Sequence, residues 1–230
     1  AKVAALRGDR EAKEGVVIAK TTPDNKTGIT VCVSCETDFV SKNSDFVAFA
    51  QTIADAAVAN NVKSIDELNN VTINGSKVSD MVNDKLASIG EKIGITKFER
   101  IDAPFVSSYI HGANRIGVLV GLNKASAEAG KDVAMQIAAM NPVAIDESSV
   151  PATTIERERA IVVEQIKNDP KMAGKPDDMI NKIAEGKLKA FFKESTLVNQ
   201  AFVKDSSKTV GDYLKSVEGD LKVTDFKRVA

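Results

Sequence analysis

Between Ile29 and Cys35 the chain alternates without a break: Ile29, Val31, Val33 and Cys35 fall on one side, Thr30, Cys32 and Ser34 on the other. A period of two is the pattern of a half-buried β-strand. Gly15 to Lys20 reads as a second strand. Thr21 to Gly28, which holds Pro23, Asp24 and Asn25, is the loop that joins the two into a hairpin. A helical stripe follows. Ser44-Asp45 supplies a cap and a first-turn acid, and Phe46, Phe49, Ala50, Ile53, Ala54 and Ala57 recur at helical spacing until Asn60-Asn61. A further helix runs from about Ser79, with Val82, Leu86 and Ile89 inward, to a terminal glycine at Gly90.

The same order of elements then returns. Ile95 to Ile101 and Phe105 to His111 are strands, Gly112-Ala113-Asn114 is a turn, and Ile116, Val118, Val120 and Leu122 alternate with Gly117, Leu119 and Gly121. A helix with Val133, Ile137 and Met140 on one face ends before Asn141-Pro142. The offset is roughly ninety residues, with Ile29 facing Ile116 and Phe46 facing Val133. The implied fold class is α+β: two related subdomains, each a small antiparallel sheet with helices. Pro151 opens a helix bearing Ile155, Val162 and Ile166; Asp169-Pro170 and Gly174 break it; a second carries Ile180, Ala184, Leu188 and Phe191. Two narrow stripes with a short break describe a projecting antiparallel helical hairpin. The expected organisation is therefore a linker helix over residues 1–14, a first core subdomain over 15–94, a second over 95–150, the hairpin over 151–195, and a C-terminal segment over 196–230. That last segment holds a helix at Val210–Leu214 and a strand over Val223 to Val229 that returns to close a sheet of the second subdomain.

Composition removes several functions. The formal net charge of -1 argues against phosphate-driven binding of nucleic acid, and no apolar run approaches a membrane span. Cys32 and Cys35 form a C-x-x-C, but no second Cys or His pair completes a zinc set, and strand positions three apart point to opposite faces. They read as two reduced thiols. One histidine, His111, leaves little for acid–base chemistry, and the phosphate-loop, dinucleotide and nucleophile-elbow motifs are missing. No catalytic residue, metal ligand or cofactor is expected. The stretch Lys187-Leu188-Lys189 with Lys193 reads as a solvated helix face.

Asp38 and Phe39 follow the alternating strand. Phe39 has the parity of the core positions, yet Glu36, Thr37 and Asp38 in succession spoil the alternation. Two readings stand on position alone: Asp38 caps a turn with Phe39 packed beneath it, or an exposed aromatic on a rigid corner anchors a protein interface. His111 is an exposed turn residue on the same grounds.

Cys35-Glu36-Thr37-Asp38-Phe39-Val40 resembles the T-D-F-V signature of the elongation factor Ts family. Tyr109 to Val120 resembles its Y-x-H-G-x-R-I-G-V-L-V segment, with one extra residue in the turn. Gly174-Lys175-Pro176, Glu185-Gly186-Lys187, Gln200 to Asp205 and Ser207 to Val210 are similar to later family motifs in the same order, with Ala201 where the family often has proline. The resemblance implies two α+β core subdomains, a helical coiled coil and a C-terminal module. It implies no enzyme but a guanine nucleotide exchange factor that binds the GTPase elongation factor Tu and speeds release of GDP. Asp38 and Phe39, with Thr37 and Val40 in the same signature, would be the intruding element that disturbs the magnesium site. Ile89, Gly90, His111, Gly112 and Val203 would be further contacts. The family's amino-terminal helical module, with its R-x-x-T-G-A-G-like motif, has no counterpart here, and Ala1 corresponds to the linker after it. No direct nucleic acid, membrane or cofactor is implied; oligomeric state is open, a homodimer included; the expected location is the cytoplasm, with an organellar matrix left open. The rival reading is a ribosome- or RNA-associated protein using the lysine faces. The wedge reading requires that Phe39 leave the core face and be exposed in the free protein.

Overall fold

The computed structural model describes residues 11–230. Most of the lead-in expected to be helical lies outside the described residues, and Glu11 to Lys13 are irregular. The architecture is α+β. It divides into two compact units, one running to Ala139 and resuming over Leu221–Ala230, the other Met140–Asp220.

In the first unit β1 (Glu14–Thr21) and β2 (Thr27–Cys35) pair antiparallel, Val16 opposite Val33 and Ile18 opposite Val31. Their loop turns at Asn25, φ 56°, where the Asp24 carboxylate accepts from Thr22 Oγ1 at 2.6 Å and from the Lys26 amide at 3.1 Å. A single helical turn, α1 (Asp38–Ser41), leads into α2 (Ser44–Ala59). The cap of α2 is Asn43 rather than Ser44: its Oδ1 accepts from the amides of Asp45 and Phe46. The predicted stripe Phe46, Phe49, Ala50, Ile53, Ala54 and Ala57 is buried and meets Val16, Ile18, Ile29, Val31, Val33 and Cys35. Each large side chain buried there contributes about 1.5–3 kcal/mol. Next come α3 (Ile65–Asn69), a small hairpin of β3 (Thr72–Ile73) and β4 (Ser76–Lys77) turning at Asn74-Gly75, and α4 (Val78–Ile89). The sequence reading passed over α3 and this hairpin.

The strand expected to open a second subdomain at residue 95 belongs to the first sheet. β5 (Gly94–Asp102) pairs antiparallel with β2, Val31 opposite Phe98, in the order β1-β2-β5. With β1 on one edge, β2 still presents backbone donors and acceptors on the other, and β5, the next strand longer than two residues, satisfies them. The second sheet has the order β10-β7-β6, from β6 (Phe105–His111), β7 (Ile116–Leu122) and β10 (Val223–Val229). The helix α5 (Ala127–Met140) follows β7, with Val133 and Ile137 buried, whereas Met140, expected on the same face, is the last residue of the helix and is exposed.

β2 is not half-buried. Thr30, Cys32 and Ser34 are as buried as their apolar neighbours, because the second sheet covers that face. Cys32 packs with Val17 and Val229. The two sheets come closest at glycines: a β-carbon on Gly28 would lie 2.7 Å from Val106 Cγ1, and one on Gly117 2.6 Å from Val17 Cγ1. The cysteines occupy opposite faces, Cys35 among the α2-facing residues, and both are free thiols.

In the second unit α6 (Ala152–Lys167) and α7 (Asp177–Ser195) run antiparallel. Ile166 at the end of one meets Ile180 and Ala184 at the start of the other, while Leu188 and Phe192 pack with Ile155, Ala144 and Val150. Phe192, not the predicted Phe191, is the buried ring; it lies one helical turn beyond Leu188, and Phe191 packs edge-on against it at 5.7 Å. Lys187, Lys189 and Lys193 are exposed. A small hairpin of β8 (Ala201–Phe202) and β9 (Asp205–Thr209) precedes α8 (Val210–Val217), whose capping box joins Thr209 and Asp212. Residues 196–220 thus belong with the hairpin, and the return to the second sheet begins only at Leu221.

Candidate functional site

The break in alternation after Cys35 has a local cause. Thr37, at φ -120°, is the cap of α1, and its Oγ1 accepts from the Val40 amide at 3.4 Å. Helical geometry from Asp38 onward abandons strand parity. Val40 therefore turns toward the core, and Phe39 is 84% exposed. The cap is Thr37, not Asp38. The Asp38 carboxylate accepts from Lys42 Nζ at 3.0 Å, and that hydrogen bond, with the ammonium charge, holds it below the usual carboxylate range.

The second part of the site comes from the end of α4. Gly90 adopts φ 90°, a left-handed conformation that a side chain would strain, and its amide donates to the Leu86 carbonyl. Ile89, just before it, is 37% exposed. Beyond the reversal, Glu91 reaches the start of α1. Its Oε1 accepts from the amides of Glu36 at 3.2 Å and Thr37 at 3.0 Å, and its Oε2 from the Thr37 hydroxyl at 2.9 Å. Cys35 Sγ donates to the Thr37 carbonyl at 3.3 Å. Burial, with the nearby charges of Glu91 and Glu14, pushes the Cys35 thiol up to about 12, so it keeps the proton that this bond uses.

Phe39, Val40 and Ile89 border an open hollow of about 410 Å³ whose other walls are Asn43, Asp45, Phe46 and Lys85. Lys85 lies 5.3 Å over the Phe49 ring. The structure thus brings Thr37, Asp38, Phe39, Val40, Ile89 and Gly90 together. His111 and Gly112 sit outside the hollow, at the β6–β7 turn, where Gly112, Ala113 and Asn114 are consecutive left-handed residues. His111 Nδ1 is 2.9 Å from Tyr109 Oη, and the Asn114 carbonyl accepts from the Val17 amide at 2.8 Å, tying the turn to β1. Val203 lies in the other unit, between β8 and β9, 46% exposed beside Phe202, which is buried and stacked on Tyr213. Glu91, Lys42 and Lys85 escaped the sequence reading. The one local signal was an acid directly after a helix-ending glycine.

The arrangement offers an apolar knob, Phe39, beside the Asp38–Lys42 ion pair. Among the described residues no group of three or more His, Cys, Asp or Glu side chains is placed to hold a metal, and no helix is long and apolar enough to cross a membrane. The family model for elongation factor TS matches residues 36–230. The chain belongs to the elongation factor Ts family. The elongation factor Ts of Christiangramia forsetii is 46% identical over 232 residues, covering 100% of this chain and 82% of that protein. That of Flavobacterium psychrophilum is 44% identical with the same coverage, and that of Clostridium acetobutylicum 40% identical over 98% of this chain and 76% of that protein. Membership of the elongation factor Ts family makes this a factor of translation elongation in protein biosynthesis.

Proposed function

We propose that this chain is a guanine nucleotide exchange factor that binds elongation factor Tu and releases GDP by driving Phe39 into the GTPase near its magnesium and phosphate site. The observation that carries the reading is Phe39, 84% exposed on a turn held by Cys35 and Glu91. A large ring kept out of its own core is the form of anchor that dominates protein interfaces. Exchange asks for no catalytic group. The nucleotide is held by magnesium and phosphate-binding backbone groups, so a factor that prefers the empty state weakens nucleotide binding by the same factor that nucleotide weakens its own.

Burying Phe39 in the partner supplies about 2–3 kcal/mol, roughly 30–150-fold in an equilibrium constant. The rest of the effect comes from Val40 and Ile89, which line the hollow beside Phe39, from their chain neighbours Thr37, Asp38 and Gly90, and from His111, Gly112 and Val203. The expected location is the cytoplasm. The test is release of a fluorescent GDP analogue from elongation factor Tu with wild-type factor and with Phe39→Ala. A loss of at least about tenfold in the saturating release rate is expected, with melting of the free factor unchanged. Acceleration equal to wild type would remove the wedge.

A further inference from the structure

A helix of one turn does not hold itself in water, yet α1 presents Phe39 in one orientation. What holds it is contributed from fifty-four residues further along the chain. We propose that Glu91 is the positioning residue of the Phe39 turn, fastening the start of α1 to the Ile89–Gly90 end of α4. This rests on the exchange reading above.

Donor and acceptor geometry carries the argument. The first amides of a helix have no partner within it, and a negative charge at that end is favoured. Glu91 Oε1 takes the amides of Glu36 and Thr37, and Oε2 takes the Thr37 hydroxyl. That hydroxyl has one hydrogen to give and lone pairs to spare, so it also accepts from the Val40 amide. One carboxylate therefore orders residues 36–40 directly and through Thr37. Charge-assisted bonds of this kind are about twice as strong as neutral ones. The left-handed Gly90 reverses the chain between Ile89 and Glu91, so the Glu91 contacts to Glu36 and Thr37 tie the Ile89 end of α4 to the turn that carries Phe39.

The consequence differs from that of losing the ring. Without Glu91 the turn samples several orientations, and only the competent fraction docks; the half-saturating factor concentration rises by the inverse of that fraction. Once docked, the same ring occupies the same place. Glu91→Ala is therefore expected to raise the half-saturating concentration for GDP release about tenfold while leaving the saturating rate within about twofold. Phe39→Ala instead lowers the saturating rate. Glu91→Gln, whose amide carbonyl still accepts from the two backbone amides, falls between wild type and Glu91→Ala. Thr37→Val, which removes the hydroxyl and leaves the carboxylate, is the second variant, read in the free factor alone, where the Val40 amide that donates to that hydroxyl is expected to exchange faster.

Amide hydrogen exchange of the free factor, resolved by NMR, supplies a reading independent of the partner. In Glu91→Ala the Thr37 and Val40 amides are expected to exchange at least about tenfold faster, with Val31 and Ile18 in the sheet unchanged. Unchanged protection at Thr37 overturns the assignment whatever Phe39→Ala does. A loosened turn with an unchanged half-saturating concentration overturns it as well. If Phe39→Ala exchanges nucleotide at the wild-type rate, the wedge reading fails instead, and protection at Thr37 still decides whether Glu91 holds the turn.

Discussion

Gly117 is the second residue of β7, just beyond the turn that carries His111 and Gly112, at the point where the two sheets of the first unit meet. An alanine methyl there would sit 2.6 Å from Val17 Cγ1, with Ala19 Cβ and Thr30 Cγ2 both at 3.5 Å on its other sides. Carbon atoms pack at about 3.5–4.0 Å, so close to an ångström of displacement is forced on β1 or β7. Val17 is 2% exposed, so it yields only by shifting within the packed layer between the sheets. Overpacking of this kind costs about 1–3 kcal/mol, and Tm falls by roughly 2–4 °C per kcal/mol in a chain of this size. Val17→Ala removes the obstructing atom at a separate cost of about 1–3 kcal/mol. In the double variant the new methyl fills the vacated space, so Gly117→Ala/Val17→Ala is expected to be no less stable than Val17→Ala alone. The chain has no tryptophan, so calorimetry or circular dichroism across the four proteins is the assay. The same displacement strains the bond from the Val17 amide to the Asn114 carbonyl, so exchange activity is expected to fall in the single glycine variant and recover in the double. Additivity of the two substitutions within about 0.5 kcal/mol would refute the direct clash as the cause.

Cys35 predicts an alkaline limit. Its thiol is raised from 9.0 to about 12 in the folded chain, so above pH 9 the unfolded chain sheds a proton that the folded chain keeps. The folded state then binds more protons, and stability present in full below about pH 9 is lost as pH climbs toward 12. Tm measured from neutral pH to about pH 11 should fall, and Cys35→Ala should flatten that fall. A parallel fall in the variant would assign it to other groups. In the second unit Leu188, 1% exposed against Ala144, Val150 and Phe192, should cost about 2–5 kcal/mol as Leu188→Ala by chemical denaturation. A loss under about 1 kcal/mol would mean that the α6–α7 contact does not depend on it.

The inner face of the first hairpin, the α2 stripe and, apart from Phe192, the α6–α7 stripes were readable because each is written in neighbouring residues. Period two and period 3.6 follow from backbone geometry over a few residues. The end of β2 was readable for the same reason, since three polar residues in succession cannot continue an alternating strand. Where reasoning from the sequence went astray, the missing information was non-local. Whether an extended segment such as 95–101 completes the sheet before it or opens the one after it depends on which edge still offers unsatisfied backbone groups. Thr30, Cys32 and Ser34 have the composition of a solvent face, and only the arrival of β6, β7 and β10 buries them.

The candidate site divides along the same line. Local chemistry settles that Phe39 lies on a turn rather than in a strand, because Thr37 caps the residues directly after it. Nothing local states that the turn is rigid, that Ile89 stands beside it, or that a carboxylate at position 91 receives the amides at 36 and 37. Those facts arise because α2, α4 and the hairpin share one apolar core, which brings residues distant in the chain to within hydrogen-bonding range. Periodicity specifies which residues must be hidden. Packing those hidden faces together specifies which of the remaining polar and apolar groups meet at the surface.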